Sequence, residues 1–503
     1  MFVRAKKNRS GSVSVQVIDK SSGVYKVVKT IGSSSDELEV KKLKKLANEF
    51  ILSFHGQQTL AFGQQDDDIF YQSVYNSIQK VQMLGPELVL GRIFDQIGFN
   101  LIPEELFRHL VISRLIYPVS KLKTIDYLQK YKGITITVNE IYRFMDRFHK
   151  SHMEEAKKIS YTHTVGVLGG QFGMIFYDVT TLYFEAADED DFRISGFSKD
   201  GKHSNPQIVL GLLVSQNGYP LDYEAFQGNS FEGHTMLPVI ERFKAKYKLE
   251  KLTVIADAGL MSNSNIKLLR AKKCEFLLGG RIKNETDTLK KKILSLKLED
   301  KKYSELKRPD GLRLIVQFSS SRASKDAHNR AKGMERLKKK LASGKLSKKH
   351  INNKGYNKYL KLEGDVTITI DEQKYEKDSA WDGLKGYVTN TKLSADQVMD
   401  SYRQLWQVER TFRITKTDLK IRPIFHYKKR RIEAHLSIAF ASCKLYKEFE
   451  RQLKEKGIAL SAEKALDILK TIFGIILKLP SGKEKIMLLD KTIEQQSILK
   501  HFS

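Results

Sequence analysis

Cysteine is almost missing from this chain of 503 residues. Cys274 and Cys443 lie far apart, so neither a disulfide framework nor a cysteine-built zinc site can be assembled from them. Proline is also scarce, at nine residues, and 41% of the residues are hydrophobic, which excludes disordered and collagen-like chains and leaves a globular one. No uncharged apolar run reaches the roughly 18 residues of a membrane-spanning helix. The opening MFVRAKKNRSGSVSV has charge but no apolar segment of the kind a secretory signal needs. A reducing cytosol is therefore the expected location, with no membrane role. Several chemistries are absent as well: there is no G-x-x-x-x-G-K-[ST], H-E-x-x-H, C-x-x-C or G-x-S-x-G, so an NTP motor, a zincin and a lipase-like hydrolase drop out. Negative charge is the last shortage. Against 87 Lys and Arg stand 59 Asp and Glu, a net charge of +28, and the partner this surplus calls for is a polyanion, here nucleic acid.

What is present changes texture along the chain. The first 32 residues alternate as SVSVQVID, a KSSG turn and VYKVVKTIG, which predicts a β-hairpin, and the helix DELEVKKLKKLANEFI follows. From about Glu87 to Ser160 apolar residues recur at helical spacing. Within that region KLKTIDYLQKYKGITITVNEIYRFMDRFHK reads as helix, connector and helix, which suits either a helix-turn-helix-like DNA reader or a plain bundle with solvated lysines. After Gly169 the apolar run MIFYDVTT and two strands joined by Asn-Gly open a sheet, and helices then alternate with the strands KLTVIADAG and CEFLLGG. That order predicts a mixed α/β sheet with helices on its faces. From Arg281 to Asp382 it gives way to a basic insertion, in which Arg322 to Leu360 is crowded with Lys and Arg opposed only by Asp326 and Glu335. This run is either a DNA-contacting module or a solvated helix beside a linker. LKGYVTNT resumes the sheet, a long helix is expected from Ser394 to about Lys420, and the remainder, including EKALDILKTIFGIILKL, reads as helical.

The chemistry left to such a chain is carboxylate chemistry. Asp178 interrupts the strand MIFYDVTT and Asp257 ends TVIADAG, where a charge is costly unless it is paired or binds a cation. Carboxylates at neighbouring strand ends converge, and two such oxygens suit Mg²⁺, although either aspartate alone could simply cap its turn. A third carboxylate, Glu409, lies seven residues from both Tyr402 and Lys416, so all three share one face of an unbroken helix. Leu405, Trp406, Phe412 and Arg413 are expected on the same face, which would hold Glu409 against the protein body. Pairing with Arg413 at i+4 is the alternative to metal binding.

YDVTTL, ADAG and the pattern Y-x2-[R]-x3-E-x6-K together resemble the DDE transposases of bacterial insertion sequences that carry the Y-R-E-K signature. The resemblance runs from about Phe172 to His435 and takes in GFSKDGKHSNPQ and QGNSFEGHT. It implies a ribonuclease-H-like catalytic core with an inserted segment before the glutamate. The expected layout is an N-terminal β-hairpin and helix (1–55), a helical DNA-binding region (56–165), the core in two parts (166–280 and 383–430), the basic insertion (281–382) and C-terminal helices (431–503). The resemblance also implies a catalytic and metal-binding triad of Asp178, Asp257 and Glu409, loaded with Mg²⁺ or Mn²⁺. Tyr402 and Lys416 match the signature positions that handle phosphates, and Trp406 is placed to stack on an unpaired base. Leu405 stands where the family has arginine, and Arg413 is the expected substitute.

The implied reaction is metal-dependent cleavage at the ends of an insertion sequence, followed by strand transfer of the 3′-hydroxyl into target DNA, by a homodimer on duplex DNA and without an NTP. Two rivals share the same residues: a ribonuclease-H-like nuclease that only hydrolyses, and a domesticated transposase acting as a DNA-binding regulator. All three bind DNA, so affinity for a duplex should fall steeply with salt, each neutralised phosphate adding about −0.9 to the slope of log K against log salt. An anisotropy titration across salt concentrations measures this, and a flat response would remove nucleic acid as the partner.

Overall fold

The nearly unbroken apolar runs become the middle of one large sheet, because strands covered on both faces have no solvent side to make polar. The computed structural model describes residues 1–54, 64–170, 173–186, 188–198, 201, 204–260, 262–344, 346–352, 355–363 and 367–502. Parts of the GGQFG and GFSKDGKHSNPQ stretches, at 171–172, 199–200 and 202–203, lie outside them. Two units are distinct: Met1–Gln82 with Gly474–Leu489, and Met83–Phe473 with Asp490–Ser503.

In the first unit, β1 (Phe2–Lys7), β2 (Val13–Asp19) and β3 (Lys26–Ser34) form an antiparallel sheet in that order. The expected hairpin is thus β2–β3 with an added edge strand. Its core, Val15 and Val17, packs against Val40 and Ala47 of the helix Glu37–Phe54. A second small sheet joins β4 (Ile78–Met83) to Phe473–Lys478 and Glu484–Leu488. The stretch TIFGIILKL, expected to continue a helix, is therefore a strand from Phe473. Its isoleucines and Gly474 favour extended backbone over helix.

The second unit is built on β5 (Met174–Tyr183), β6 (Gln207–Ser215), β7 (Pro220–Gln227), β8 (Thr253–Ala256) and β9 (Glu275–Gly280). β5, β6 and β7 are successively antiparallel, while β8 pairs parallel to β5 and β9 parallel to β8. Three more strands complete the eight, in the order β10-β11-β14-β9-β8-β5-β6-β7: β10 (Tyr303–Lys307), β11 (Arg313–Phe318) and β14 (Leu384–Thr389). Between β11 and β14 lie the basic helix Ser320–Ala342 and the small hairpin β12 (Leu360–Glu363) and β13 (Thr367–Ile370). The insertion expected to begin at Arg281 therefore contributes two strands to the main sheet before its basic helix starts. Its Asp310-Gly311 turn between alternating strands was a readable hairpin signal.

Side-chain alternation divides the core in two. Ile175, Tyr177 and Val254 face the helices Glu232–Tyr247 and Asn263–Ala271. Phe176, Ile255 and Leu277 face the other way, toward Val398, Tyr402, Leu405, Val408 and Phe412, and toward the long helix Lys429–Glu455. The helix Val138–Ser151, started by a Thr137–Glu140 capping box, is tied to that long helix by Asp146 to Arg430 and Arg431, and by His149 to Glu433. The helices between Glu87 and Val167 thus pack within the same unit as the eight-stranded sheet, whereas the helix Gln64–Ser77 belongs to the first unit.

A buried ion pair fixes the helix Met153–Val167 to β7. Lys157 Nζ lies 2.9 Å from Asp222 Oδ1, with side chains 5% and 0% exposed, and donates to Tyr223 O at 3.0 Å. Lys157→Met should lower the unfolding free energy by about 3–5 kcal/mol, because it strands a buried carboxylate. Urea denaturation followed by circular dichroism measures the loss.

Candidate active site

The parallel pairing of β5 with β8 runs Phe176 beside Ile255 and Tyr177 beside Ala256. One residue further along both strands come Asp178 and Asp257. Alternation puts them on the face of Phe176 and Ile255, which the helix Trp406–Arg413 covers. Asp178 is half-buried, and its Oδ1 accepts the Val179 N–H at 2.7 Å. Asp257 is exposed at the end of β8 and accepts the Gly259 N–H. The turn that follows is held by Arg281, whose guanidinium donates to Ala258 O at 2.7 Å and Gly259 O at 2.9 Å.

The third carboxylate arrives on a different helix geometry from the one expected. The run from Ser394 is a helix Ala395–Arg403, two turn residues, a helix Trp406–Arg413 and a π-helical turn Ile414–Asp418. Across the break the bonds shorten to i+3: Leu405 N–H to Tyr402 O at 3.0 Å and Gln407 N–H to Gln404 O at 2.9 Å. Such a tightened turn over-winds the helix, so the seven-residue spacing no longer keeps one face. Leu405, Val408 and Phe412 are buried, whereas Trp406, Glu409 and Arg413 form an exposed row. Glu409 is therefore presented outward and not held against the body. Trp406, 49% exposed, lines a cleft of about 740 Å³ with Arg410, Lys447 and Arg451.

Tyr402 lies in the buried row, its ring edge-on to Tyr387 at 5.0 Å. Burial, with the charges of Asp257 and Glu409 nearby, raises its pKa and keeps the phenol protonated as a donor. It is seated by a missing side chain: a Cβ at Gly279 would come within 2.5 Å of Tyr402 Oη and 2.9 Å of Ala258 N. Lys385 on β14 is the residue that sequence reasoning passed over. Its ammonium stands 4.5 Å from the Tyr402 ring centroid. Burial lowers its pKa, as do Arg322 and Arg403, against the opposing charges of Glu409 and Asp257. Asp257, Glu409, Tyr402 and Lys385 thus share one electrostatic neighbourhood. The signal for Lys385 was a lysine in step with Tyr387 on a core strand, a place that ordinarily takes an apolar side chain.

Arg413 does not join that neighbourhood in the interactions seen here. It is exposed, and its charge acts on Asp418, whose pKa is raised by burial. Lys416 is half-buried on the π turn. Beside Tyr402 opens a cleft of about 620 Å³ lined by Ala258, Arg281, Arg322, Arg330 and Lys385. Among the described residues no three His, Cys, Asp or Glu side chains close on one metal-sized point. The donor chemistry nevertheless fits a hard cation, since Asp178, which lies within β5 and not at its end as expected, Asp257 just past the end of β8 and Glu409 on the facing helix all offer carboxylate oxygens.

The strand order β7-β6-β5-β8-β9, antiparallel then parallel, with Asp178 within β5 beside Asp257 just past the end of β8, defines a ribonuclease-H-like protein. Residues 173–443 match the family model described as the transposase DDE domain, more than half of the chain, and the protein belongs to that family. Among solved structures it is similar to a piggyBac transposase synaptic complex with hairpin DNA, at 10% identity and TM-score 0.38 over 76% of each chain. It is also similar to a Mos1 transposase paired-end complex with the left transposon end, at 10% identity and TM-score 0.16 over 46% of this chain and 71% of that one. No curated protein matches.

The Gly279 contact gives a direct test. Gly279→Ala should cost about 1–3 kcal/mol through overpacking against Tyr402 and the Ala258 backbone. Gly173→Ala, where a Cβ meets nothing within 4 Å, is the neutral control, and denaturant melts of both variants make the comparison.

Proposed function

We propose that the protein is a transposase that cleaves at the ends of an insertion sequence and transfers the exposed 3′-hydroxyl into target DNA. What supports the reading is membership of the DDE transposase family together with the register that carries Asp178 and Asp257 onto one sheet face, under the helix bearing Glu409. These three side chains would hold Mg²⁺, with Mn²⁺ able to replace it. Bound there, a divalent metal would supply Lewis-acid chemistry for deprotonating the attacking hydroxyl and stabilising the leaving oxygen. Water attacks first at the element's end, and the 3′-hydroxyl released then attacks a target phosphodiester. Each step either hydrolyses a phosphodiester or exchanges one for another, so no NTP is consumed.

The chain's own residues do the rest. Tyr402, held as a neutral phenol, donates to a phosphate oxygen at the reacting end, and Lys385 offsets negative charge that builds there. Arg322 and Arg403 take the place of the signature arginine that Leu405 lacks, a role the sequence had offered to Arg413. Trp406, with Lys416 and Arg413 further along the helix, contacts DNA beyond the reacting phosphate. The helical region 56–165 and the insertion 281–382 grip the duplex, and two copies act together on paired ends in the cytosol.

Asp178→Asn, Asp257→Asn and Glu409→Gln should each abolish cleavage and joining of a labelled end in Mg²⁺ while leaving duplex binding within about twofold, since affinity for DNA comes mostly from Lys and Arg elsewhere. Gel-based cleavage and strand-transfer assays beside an anisotropy titration read both. Cleavage that persists in one variant removes that residue from the site. Cleavage without joining in the unaltered protein would favour a nuclease.

A further inference from the structure

Outside the carboxylate site, the second unit contains an unusual group of buried cationic residues. A cleft of about 520 Å³ is lined by Arg114, Lys121, Arg422, His426 and His435, with Tyr142 and Phe425 beside them. Arg114 is 6% exposed, Lys121 7%, His426 8% and His435 6%. None of these four forms an ion pair among the described residues. Arg114 Nη1 donates only to the Leu419 and Lys420 carbonyls, both at 3.4 Å. His435 Nε2 lies 3.1 Å from Ile421 O, and its Nδ1 is buried without a partner. Asp146, on the same helix as Tyr142, is already clamped by Arg430 and Arg431.

Their charges act against one another. Lys121 is pushed well below its ordinary value by burial and by Arg114. Burial, with Lys121, Arg114 and Arg431, pushes His426 down to about 3. A buried charge without a counter-ion is costly: Arg114 keeps its charge, while the imidazoles of the cleft are neutral. An anion entering from outside would favour protonation of Lys121 and the imidazoles around it.

We propose that this cleft is a phosphate-binding site that holds a backbone phosphate of the DNA being processed, apart from the carboxylate site. Phe425, 59% exposed at its edge, offers a face to the adjoining sugar or base. The position suits DNA bound at the carboxylates. Arg422 lies over the ring of Tyr183, the last residue of β5, whose backbone is roughly 17 Å beyond that of Asp178 at the rise of a strand. Along the axis of a duplex that distance corresponds to about five base-pair steps. The assignment rests on the reading of the protein as a DNA-processing enzyme.

The test uses the full-length protein, Lys121→Met inside the cleft and Arg422→Gln on its rim, with a labelled duplex taken from the DNA flanking the gene. Both variants should bind it more weakly, with the slope of log K against log salt shallower by about 0.9, the loss of one phosphate contact. In melting curves at fixed ionic strength, inorganic phosphate in place of chloride should raise the melting temperature of the unaltered protein and not that of Lys121→Met. In chloride, Lys121→Met should melt at or above the unaltered protein, because it replaces a buried amine that has no ion-pair partner among the described residues. Equal slopes in all three proteins overturn the proposal, and stabilisation by phosphate alongside equal slopes would mark the cleft as a site for free phosphate. Should Lys121→Met not fold, the slope of Arg422→Gln decides. A flat titration of the unaltered protein would instead remove DNA as the partner, so the two failures are distinguishable.

Discussion

The parallel contact between β5 and β8 is the constraint on which the rest of the molecule depends. Side chains alternate along both strands, so the pairing of Tyr177 with Ala256 decides which residues share a face. Slip either strand by one residue and Asp178 and Asp257 would lie on opposite sides of the sheet. The register is held from both directions by core packing: Ile175, Tyr177 and Val254 in one layer, Phe176 and Ile255 in the other. Asp178 is tolerated within the otherwise apolar β5 because β8 ends beside it at Ala256, leaving Asp257 exposed and Asp178 half-buried. The helices that close the second layer then set how far Tyr402 is buried and that Glu409 faces outward.

The net charge of +28 is unevenly used. Where elements must be fastened, cations meet acids: Lys157 meets Asp222, Arg430 and Arg431 share Asp146, and Arg451 meets Glu448. Where the chain faces a cleft the matching acids thin out, as at Arg114 and Lys121, or are the proposed metal ligands themselves, as around Lys385. Excess charge distributed in this way adds little to the stability of the free protein and leaves unneutralised sites for a polyanion.

Much of this was legible in the sequence. The apolar runs with Asp178 and Asp257 inside or at the end of them, the Asn-Gly turn of the β6–β7 hairpin and the helix–strand alternation that follows state a mixed sheet through local pattern alone. The edge strand β10 and its neighbour β11 were missed because the basic composition of the insertion outweighed a clear Asp-Gly hairpin. The break at Gln404–Leu405 could not be read, since no glycine or proline marks it and local propensity permits an unbroken helix. Tertiary packing decides it, by turning Leu405, Val408 and Phe412 inward and leaving Trp406, Glu409 and Arg413 outside. Lys385 was legible only as a lysine in step with Tyr387 on a strand; its significance lies in Tyr402 and Glu409, which come from a segment the sequence does not say will cover β14.

A single strand links the two proposed contacts with DNA. β5 carries Asp178 near its middle and Tyr183 at its end, where Arg422 stacks and where Phe184 bridges to Ile424. The segment Lys420–His426, which forms one wall of the cationic cleft, follows directly from the π turn that ends the helix of Glu409. Strand and segment therefore leave the carboxylate site in company, and the Phe184–Ile424 bridge fixes how far apart the two sites lie. A rigid spacing of this kind would let a backbone phosphate held in the cleft determine which phosphodiester reaches Asp178 and Asp257. Selection of the cut position would then come from the length of β5 beyond Asp178, a backbone dimension, with no need for any side chain to read the bases in between.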